Sequence, residues 1–337
     1  MSELRKDPLY DRWVIISQER GKRPGALKMK GKSSNCPFCP GNESSTPPEI
    51  TADRENGTKP NDRGWRVRVF PNKFPALMVE GDLERERTDL FDRMQGVGAH
   101  EVIVDTPEHE RPLEELDEDQ IKRVIRIYRE RIEDLYHDVR LKYVLVFKNW
   151  GEEAGATITH SHSQLIATSI IPSNLKKLLN RSLQYYKTHR SCIFCDILKE
   201  ELNSGERIVY ENQYFVARTA FASAFPFEIN IFPKIHNYNF ITISEEEISS
   251  FANVLKVVLK KLKQVTNNPP YNYVIYTAPN LIPKDGFWQT IDKDFHWHVD
   301  LIPRLTKLAG FEWGTGFFIN PVSPEEAAQY LRKVNLV

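Results

Sequence analysis

The sequence lacks an excess of charge of either sign and has no long apolar run. Its 337 residues include 46 lysines and arginines and 46 aspartates and glutamates. A nucleic-acid-binding surface normally requires a basic excess, so nucleic acid is not expected as a partner. No apolar stretch reaches the length of a membrane span, and the N-terminus lacks the apolar core of a signal peptide. We therefore expect a cytoplasmic protein with no membrane partner.

Cysteine is also scarce, and its placement is informative. The chain has 4 cysteines, and all of them lie in two C-x-x-C pairs, Cys36 with Cys39 and Cys192 with Cys195. In a reducing compartment such pairs favour a metal site over a disulfide. A dithiol redox pair, as in a thioredoxin-like motif, and buried structural cysteines remain the alternatives.

An internal repeat organises the chain. "CPFC" is followed by His109, a helical stretch, the apolar segment "YVLVF" and "HSH" at 160–162. "CIFC" is followed in the same order by His236, a helical stretch, "YNYVIY" and "HWH" at 296–298. This order predicts an α+β fold of two duplicated halves, residues 1–180 and 181–337. Each half should contain an antiparallel sheet or half-barrel with packed helices.

The two long helices have recognisable starts. Asp117 and Gln120 form a capping pattern before one amphipathic stretch, and Ser244 and Glu247 form a capping box before the other. A last helix is expected after Ser323, with a proline in its first turn. The apolar stripes of the long helices should pack on the sheets.

The repeat supplies the ligands of two tetrahedral zinc sites. Two thiolates and two imidazoles satisfy zinc, and a C-x-x-C turn supplies both thiolates. The spacing is not that of a zinc finger, so the fold must bring the histidines to the cysteines. The first set is Cys36, Cys39, His109 and one of His160 or His162, and the second is Cys192, Cys195, His236 and one of His296 or His298.

The remaining histidine of the first pair is a candidate nucleophile. Strand side chains alternate, so His160, His162 and Gln164 share one face. If His160 binds the metal, the neutral imidazole of His162 can attack phosphorus and the amide of Gln164 can hold a phosphoryl oxygen. The second half has Asp300 at the position of Gln164, where a carboxylate would repel phosphate. We therefore expect one active half and one supporting half.

The stretch "NWGEEAGATITHSHSQ", residues 149–164, resembles the signature of the galactose-1-phosphate uridylyltransferase family of the histidine-triad superfamily, which includes the ADP-glucose phosphorylase type. The resemblance covers nearly the whole chain and implies histidine-triad-like halves. It implies that His162 becomes nucleotidylated, that Gln164 contacts the phosphoryl oxygen, and that the fourth zinc ligand of the first set is His160.

The resemblance also implies substrate contacts outside the signature. Two N-terminal arginines would contact phosphate across a dimer interface, so a homodimer is expected. A C-terminal segment would close over the hexose. The implied substrate-binding residues are Arg20, Arg23, Asn72, Asn149, Gly155, Phe311, Glu312 and Asn320.

Two departures from the family pattern limit what the resemblance implies. Ser161 and Ser163 replace the proline and glycine that flank the nucleophile, which leaves the nucleotide base open. The second cysteine pair resembles that of family members with a second zinc. The second set is therefore expected to be completed by His296, with His298 left without an assigned role.

Three functions follow as hypotheses. The first transfers a nucleoside monophosphate between hexose 1-phosphates through a covalent nucleotidyl-histidine, converting UDP-glucose and galactose 1-phosphate to glucose 1-phosphate and UDP-galactose. The second transfers AMP from ADP-glucose to inorganic phosphate. The third is a zinc-dependent nucleotide-binding module without enzymatic activity.

Overall fold

The computed structural model describes residues 2–9, 12–17, 36–281 and 288–336. The strands before residue 180 are β1 (Glu3–Lys6), β2 (Trp13–Ile16), β3 (Thr51–Arg54), β4 (Trp65–Pro71), β5 (Glu86–Arg87), β6 (Asp92–Gln95), β7 (Gly98–Val104), β8 (Tyr143–Trp150) and β9 (His162–Thr168). The later strands are β10 (Ile208–Glu211), β11 (Phe215–Thr219), β12 (Ile229–Pro233), β13 (Tyr271–Tyr276) and β14 (His298–Pro303). The helices are α1 (Glu118–Tyr136), α2 (Ser173–His189), α3 (Ile193–Ser204), α4 (Glu245–Thr266), α5 (Ile291–Asp294), α6 (Gly310–Thr315) and α7 (Pro324–Lys333).

One antiparallel sheet runs through both halves of the chain. Over the described ranges it contains ten strands in the order β10-β11-β12-β14-β13-β8-β9-β7-β4-β3. Outward from the centre, the first half contributes β8-β9-β7-β4-β3 and the second contributes β13-β14-β12-β11-β10, so the strand order is duplicated. The halves join where β13 pairs with β8, with Tyr271 opposite Trp150. The predicted α+β fold with duplicated antiparallel halves is confirmed.

Helices α1 and α4 pack on one face of this sheet. Their apolar side chains recur at helical spacing and are buried in a core shared by both halves. The predicted starts are confirmed: Asp117 accepts a hydrogen bond from the Gln120 amide at 2.7 Å, and Ser244 forms its capping box. Tyr128 of α1 contacts Ser163 of β9, so α1 covers the Ser163 face of that strand. The opposite face of β9 carries His162 and Gln164.

Helix α2 occupies the junction between the halves. Sequence analysis places the boundary at residue 180, and that position falls inside α2. Its polar sequence buries only a few side chains, among them Leu175 and Leu179, which pack with Phe194 and Phe295 of the second half. The helix therefore links the halves through a small apolar cluster.

A second, smaller sheet lies outside the duplicated core. In the described segments it has four strands in the order β2-β1-β6-β5, and Leu4 of β1 is buried. Among the described helices, none combines the length and the apolar character that crossing a bilayer requires.

Candidate active site and metal centres

Strand β9 presents the two residues predicted to perform the chemistry. It lies between β8 and β7, and His162 stands opposite Val104 and Gln164 opposite Val102 of β7. Only 6% of the surface of His162 and 7% of that of Gln164 are exposed. A central strand paired on both sides holds these side chains rigidly on one face.

The first four predicted metal ligands form one cluster. The Cys39 sulfur lies 3.3 Å from Nδ1 of His109 and 3.6 Å from Nδ1 of His160. The two imidazole Nδ1 atoms lie 3.4 Å apart. A tetrahedral ion bound at about 2.0–2.1 Å by nitrogen and about 2.3 Å by sulfur has N–N edges of about 3.3 Å and S–N edges of about 3.6 Å. The donors are therefore spaced for a tetrahedral metal ion.

The protonation states of His160 and of the two cysteines also bear on metal binding. Nε2 of His160 hydrogen-bonds the carbonyl of Thr106 at 2.7 Å, which leaves its Nδ1 lone pair for a metal. Burial lowers the pKa of His160 to about 4, so the imidazole is neutral at neutral pH. Burial raises the pKa of Cys36, and raises the pKa of Cys39 to about 12. Thiolates at this site therefore require a bound cation.

The second set forms an equivalent cluster. The four donor atoms of Cys192, Cys195, His236 and His296 all lie within 4.8 Å of one another. The Cys195 sulfur is 3.3 Å from Nδ1 of His236, whose Nε2 hydrogen-bonds the carbonyl of Asp292 at 2.9 Å. A hydrogen bond between the two thiols lowers the pKa of Cys192 and raises the pKa of Cys195. Both Cys/His groups can hold a metal ion.

The hydrogen bonding of His162 suits a nucleophile. Its Nδ1 lies 2.8 Å from the carbonyl of His160 and can only donate to it, so Nε2 carries the lone pair. Burial lowers the pKa of His162 to about 4, which keeps the imidazole neutral. Phe38, the aromatic residue of "CPFC", stands edge-on to this ring with a centroid distance of 5.2 Å. The loop that carries the first cysteine pair therefore contacts the predicted nucleophile directly.

His100 is a site residue that the sequence analysis missed. Its Nε2 lies 2.9 Å from Oε1 of Gln164 and 3.2 Å from the amide nitrogen of Asn72. The structure thus brings Asn72, predicted as a substrate contact, into the same group as Gln164. The signal in the sequence was a histidine in the strand "GAHEVIVD", but its partner lies 64 residues away.

The two serines that depart from the family pattern belong to a buried polar network behind β9. Both hydroxyls donate to the carboxylate of Asp105 at 3.0 Å. Lys148 pairs with the same carboxylate and donates to the carbonyl of His162 at 3.1 Å. Because Lys148 and Asp105 are fully buried, their charges must be satisfied by each other and by Ser161 and Ser163. The network therefore fixes the backbone that carries His162.

Asn149 and Gly155 lie together beside the end of β8. The side-chain oxygen of Asn149 accepts a hydrogen bond from Asn272 of β13 at 2.7 Å. Asn272 also donates to the carbonyl of Ala154 at 2.8 Å, which holds the turn before β9. Gly155 has a φ of +87°, a conformation that side chains rarely adopt. Asn149 and the glycine turn are therefore held by a strand of the second half.

The other predicted substrate contacts are not joined to this group. Glu312 accepts from the backbone of Ala309 at the start of α6, and Asn320 donates to the carbonyls of Ser223 and Phe225. Phe311 is 52% exposed. The hydrogen bonds that these residues make in the described part of the chain do not link them to His162. Arg20 and Arg23 lie outside the described residues.

Two sequence families match the chain. Residues 1–172, more than half of the chain, match the family described as "Galactose-1-phosphate uridyl transferase, N-terminal domain". Residues 97–334 match a second family, described as "Domain of unknown function (DUF4921)". The first match covers the first cysteine pair and His162, and the second extends across the junction into the second half.

Individual relatives match over the whole length. The chain is 35% identical to an ADP-glucose phosphorylase of Arabidopsis thaliana, with 99% of this chain and 93% of that protein covered. It is 32% identical to a galactose-1-phosphate uridylyltransferase of Thermotoga maritima, with 100% and 99% covered. A crystal structure of an ADP-glucose phosphorylase from Arabidopsis thaliana with bound ADP-glucose has a TM-score of 0.78 and 34% identity and covers 100% of both chains. The chain therefore belongs to the galactose-1-phosphate uridyl transferase family, and the prediction of a nucleotidyltransferase-type enzyme is confirmed.

Proposed function

We propose that the protein moves a nucleoside monophosphate from a nucleotide sugar to a second phosphate acceptor through a covalent intermediate on His162. The observation that carries this proposal is the bond from Nδ1 of His162 to the carbonyl of His160, which leaves Nε2 as a buried, neutral nucleophile. The relatives named as nucleotide-transferring enzymes support the same chemistry.

In the first step Nε2 of His162 attacks the phosphorus next to the nucleoside. A P–N bond forms, the P–O bond to the sugar phosphate breaks, and hexose 1-phosphate leaves with the electron pair. The imidazole, now bonded to phosphorus, becomes cationic, and its Nδ1–H still donates to the His160 carbonyl, 2.8 Å from Nδ1. That hydrogen bond stabilises the positive charge and keeps the ring oriented.

In the second step an oxygen of the acceptor attacks the same phosphorus. The P–N bond breaks, and His162 returns to its neutral form. Throughout both steps the amide N–H of Gln164 donates to a non-bridging phosphoryl oxygen, where negative charge is concentrated. The two steps are the same nucleotidyl transfer in opposite directions. One nucleophile therefore serves both steps, and neither step requires a strong general acid.

The expected substrates are UDP-glucose and galactose 1-phosphate, giving glucose 1-phosphate and UDP-galactose. The second candidate, transfer of AMP from ADP-glucose to inorganic phosphate, is favoured by the 35% identity to a protein named ADP-glucose phosphorylase. Parallel assays with each donor and each acceptor separate the two. If phosphate never discharges the intermediate, the phosphorylase candidate is excluded, and if galactose 1-phosphate never does, the transferase candidate is excluded.

Zinc is the metal that both Cys/His groups favour, because two thiolates and two imidazoles in tetrahedral spacing are its usual ligands. The bound ion would tie the "CPFC" loop to the strand that bears the nucleophile. Elemental analysis should find two zinc ions per chain. Changing Cys36 and Cys39 to alanine should remove one, and changing Cys192 and Cys195 should remove the other. Unchanged zinc after all four changes would refute the assignment.

We further propose a cytoplasmic homodimer in which residues 1–180 catalyse and residues 181–337 support. The four cysteines are free thiols placed for metal binding, as a reducing compartment allows. The C-terminal segment exposes large apolar side chains that a second copy could cover, namely Trp313, Phe317 and Phe318. Sedimentation should give twice the chain mass, and a Trp313→Ser variant should sediment as a monomer. Monomeric wild-type protein would contradict the proposal.

A further inference from the structure

We infer that His100 is a positioning residue that orients the amide of Gln164 for phosphoryl transfer. The inference rests on the proposed function, because it concerns how the phosphoryl oxygen is held. His100 lies on β7, is 3% exposed, and does not belong to either metal group. Its role follows from which of its two ring nitrogens can donate.

One ring nitrogen of His100 is committed to the backbone. The amide N–H of Ala76 donates to Nδ1 of His100 at 3.0 Å. A backbone amide can only donate, so Nδ1 must carry a lone pair and the proton of the neutral ring must sit on Nε2. The segment around Ala76 therefore selects the tautomer of His100.

The other ring nitrogen then dictates the orientation of the glutamine. Nε2–H donates to Oε1 of Gln164 at 2.9 Å. With its oxygen held by His100, Gln164 must direct its NH₂ group away from His100. A reversed amide would place two donors against each other and lose the bond. The donor group of Gln164 is thereby directed without any contact between His100 and a substrate.

Asn72 places a second amide group beside the ring without bonding to it. Its side-chain oxygen accepts the N–H of Phe74 at 2.9 Å, which turns its amide nitrogen toward Nε2 of His100 at 3.2 Å. Because both nitrogens are donors in the tautomer set by Ala76, the hydrogens of Asn72 are left for an acceptor other than His100. A phosphate or ribose oxygen would satisfy them. Asn72 and Gln164 thus both offer N–H groups beside the ring.

The test uses two substitutions that each keep half of the histidine. His100→Asn keeps an oxygen near the position of Nδ1 for the Ala76 amide but lacks the reach to Gln164. His100→Gln places an amide near the position of Nε2 and can still donate to Gln164. The rate of His162 nucleotidylation is measured in a single turnover by intact-protein mass, with UDP-glucose and with ADP-glucose, alongside the melting temperature.

We expect His100→Asn to slow nucleotidylation by about 10- to 100-fold at saturating donor, with little change in donor affinity. His100→Gln should recover most of that rate. In a Gln164→Ala background, His100→Asn should cause no further loss, because the residue acts through the glutamine.

The outcomes separate this inference from the proposed function. Wild-type protein that forms no adduct with either donor would overturn both. Normal adduct formation in wild type and an unchanged rate in His100→Asn would overturn the inference alone. A tenfold or greater loss that persists in the Gln164→Ala background would also overturn it, because such a loss reports a structural defect.

Discussion

The two halves of the molecule place a histidine at the same point of the same strand order, but the described residues around the two histidines differ in size and in charge. Nδ1 of His162 bonds the carbonyl two residues earlier at 2.8 Å, and Nδ1 of His298 makes the equivalent bond at 3.0 Å. Each follows, in an H-x-H pair, a histidine of a Cys/His group that could hold a metal ion. Orientation of the ring is therefore common to both halves and does not by itself make a site.

The neighbours of the two rings differ in size. Val104 of β7 stands opposite His162. On the other side, β8 and β9 pair Lys148 with Ser163, which places Asn149 at the next position, beside His162. His298 is instead stacked on Phe232 and Tyr276, with ring centroids at 5.1 and 5.0 Å. The aromatic rings cover the faces of His298. Phe38 instead stands edge-on to His162 with a centroid distance of 5.2 Å, so in the described part of the chain the stacking on His298 has no counterpart at His162.

The charges differ as well. Gln164 and His100 have Asp300 and Glu228 at the equivalent register positions of the second half. Burial raises the pKa of Glu228, and the nearby Asp300 raises it further. Asp300 accepts a hydrogen bond from Asn230 at 2.7 Å, so its carboxylate is satisfied within the protein. The carboxylate of Asp300 would repel phosphate where the first half offers the amide donor of Gln164.

The largest expected difference in turnover between the halves comes from removing each histidine in turn. His162→Gly should lower turnover by at least about 10⁴-fold, because no other group replaces the nucleophile. His298→Gly, the matched control, should leave turnover within about threefold once the folded fraction is considered. Steady-state assays and circular dichroism check both. Retained turnover in His162→Gly would contradict the covalent mechanism.

A carboxylate at position 164 would give the first half the charge of the second. Gln164→Glu should reduce the first nucleotidyl transfer by about 10³-fold, since a donor is lost and repulsion is added. Gln164→Ala should cost about 10²-fold, which isolates the donor. Asp300→Asn is the control and should have little effect on the rate. Equal rates for wild type and Gln164→Glu would show that the glutamine does not meet the phosphate.

An aromatic residue at position 149 would test the size difference. Asn149→Tyr should raise the KM for the nucleotide sugar by about 10²-fold, because the ring would occupy the space that Tyr276 fills in the second half. Asn149→Ala removes the same amide without filling space and should raise KM less. Melting temperatures must be compared, because Asn149 also binds Asn272. The opposite order of the two KM values would refute the size argument.

The smallest expected effect on turnover comes from removing the cysteines of the two Cys/His groups. Loss of the first pair, Cys36 and Cys39, should lower turnover by about tenfold in the protein that remains folded, since "CPFC" contacts the nucleophile through Phe38. Loss of the pair at 192 and 195 should mainly lower the melting temperature. Zinc content, unfolding and turnover are measured on the same samples. A larger effect on turnover from the second pair would reverse the assignment of the halves.

Much of the fold was predictable because its signals are local or repeated. The capping residues Asp117 and Ser244 mark helix starts, and the doubled order of cysteines, histidines and strands indicated a duplication. Helix α2 was not predicted, because its stretch is rich in lysine and buries few side chains besides Leu175 and Leu179. The continuity of the sheet depends on the pairing of β8 with β13, which a search within each half does not reveal.

The candidate site could be predicted only where its residues lie in a short motif. His162 and Gln164 share a strand face by alternation alone, and the two Cys/His groups follow from the repeat. His100 acts through a contact between strands 64 residues apart, so its residue type gives no indication of its role. Lys148 and Asp105 resemble surface residues in the sequence, yet both are fully buried behind the nucleophile.

The central claim is that His162, and not His298, receives the nucleotide. The most direct test is the intact mass of the protein after brief incubation with UDP-glucose or ADP-glucose without acceptor, followed by peptide mapping. The account predicts one nucleotidyl group per chain on His162, and the donor that produces it identifies the base. An adduct on His298, or no adduct with either donor, would contradict the account.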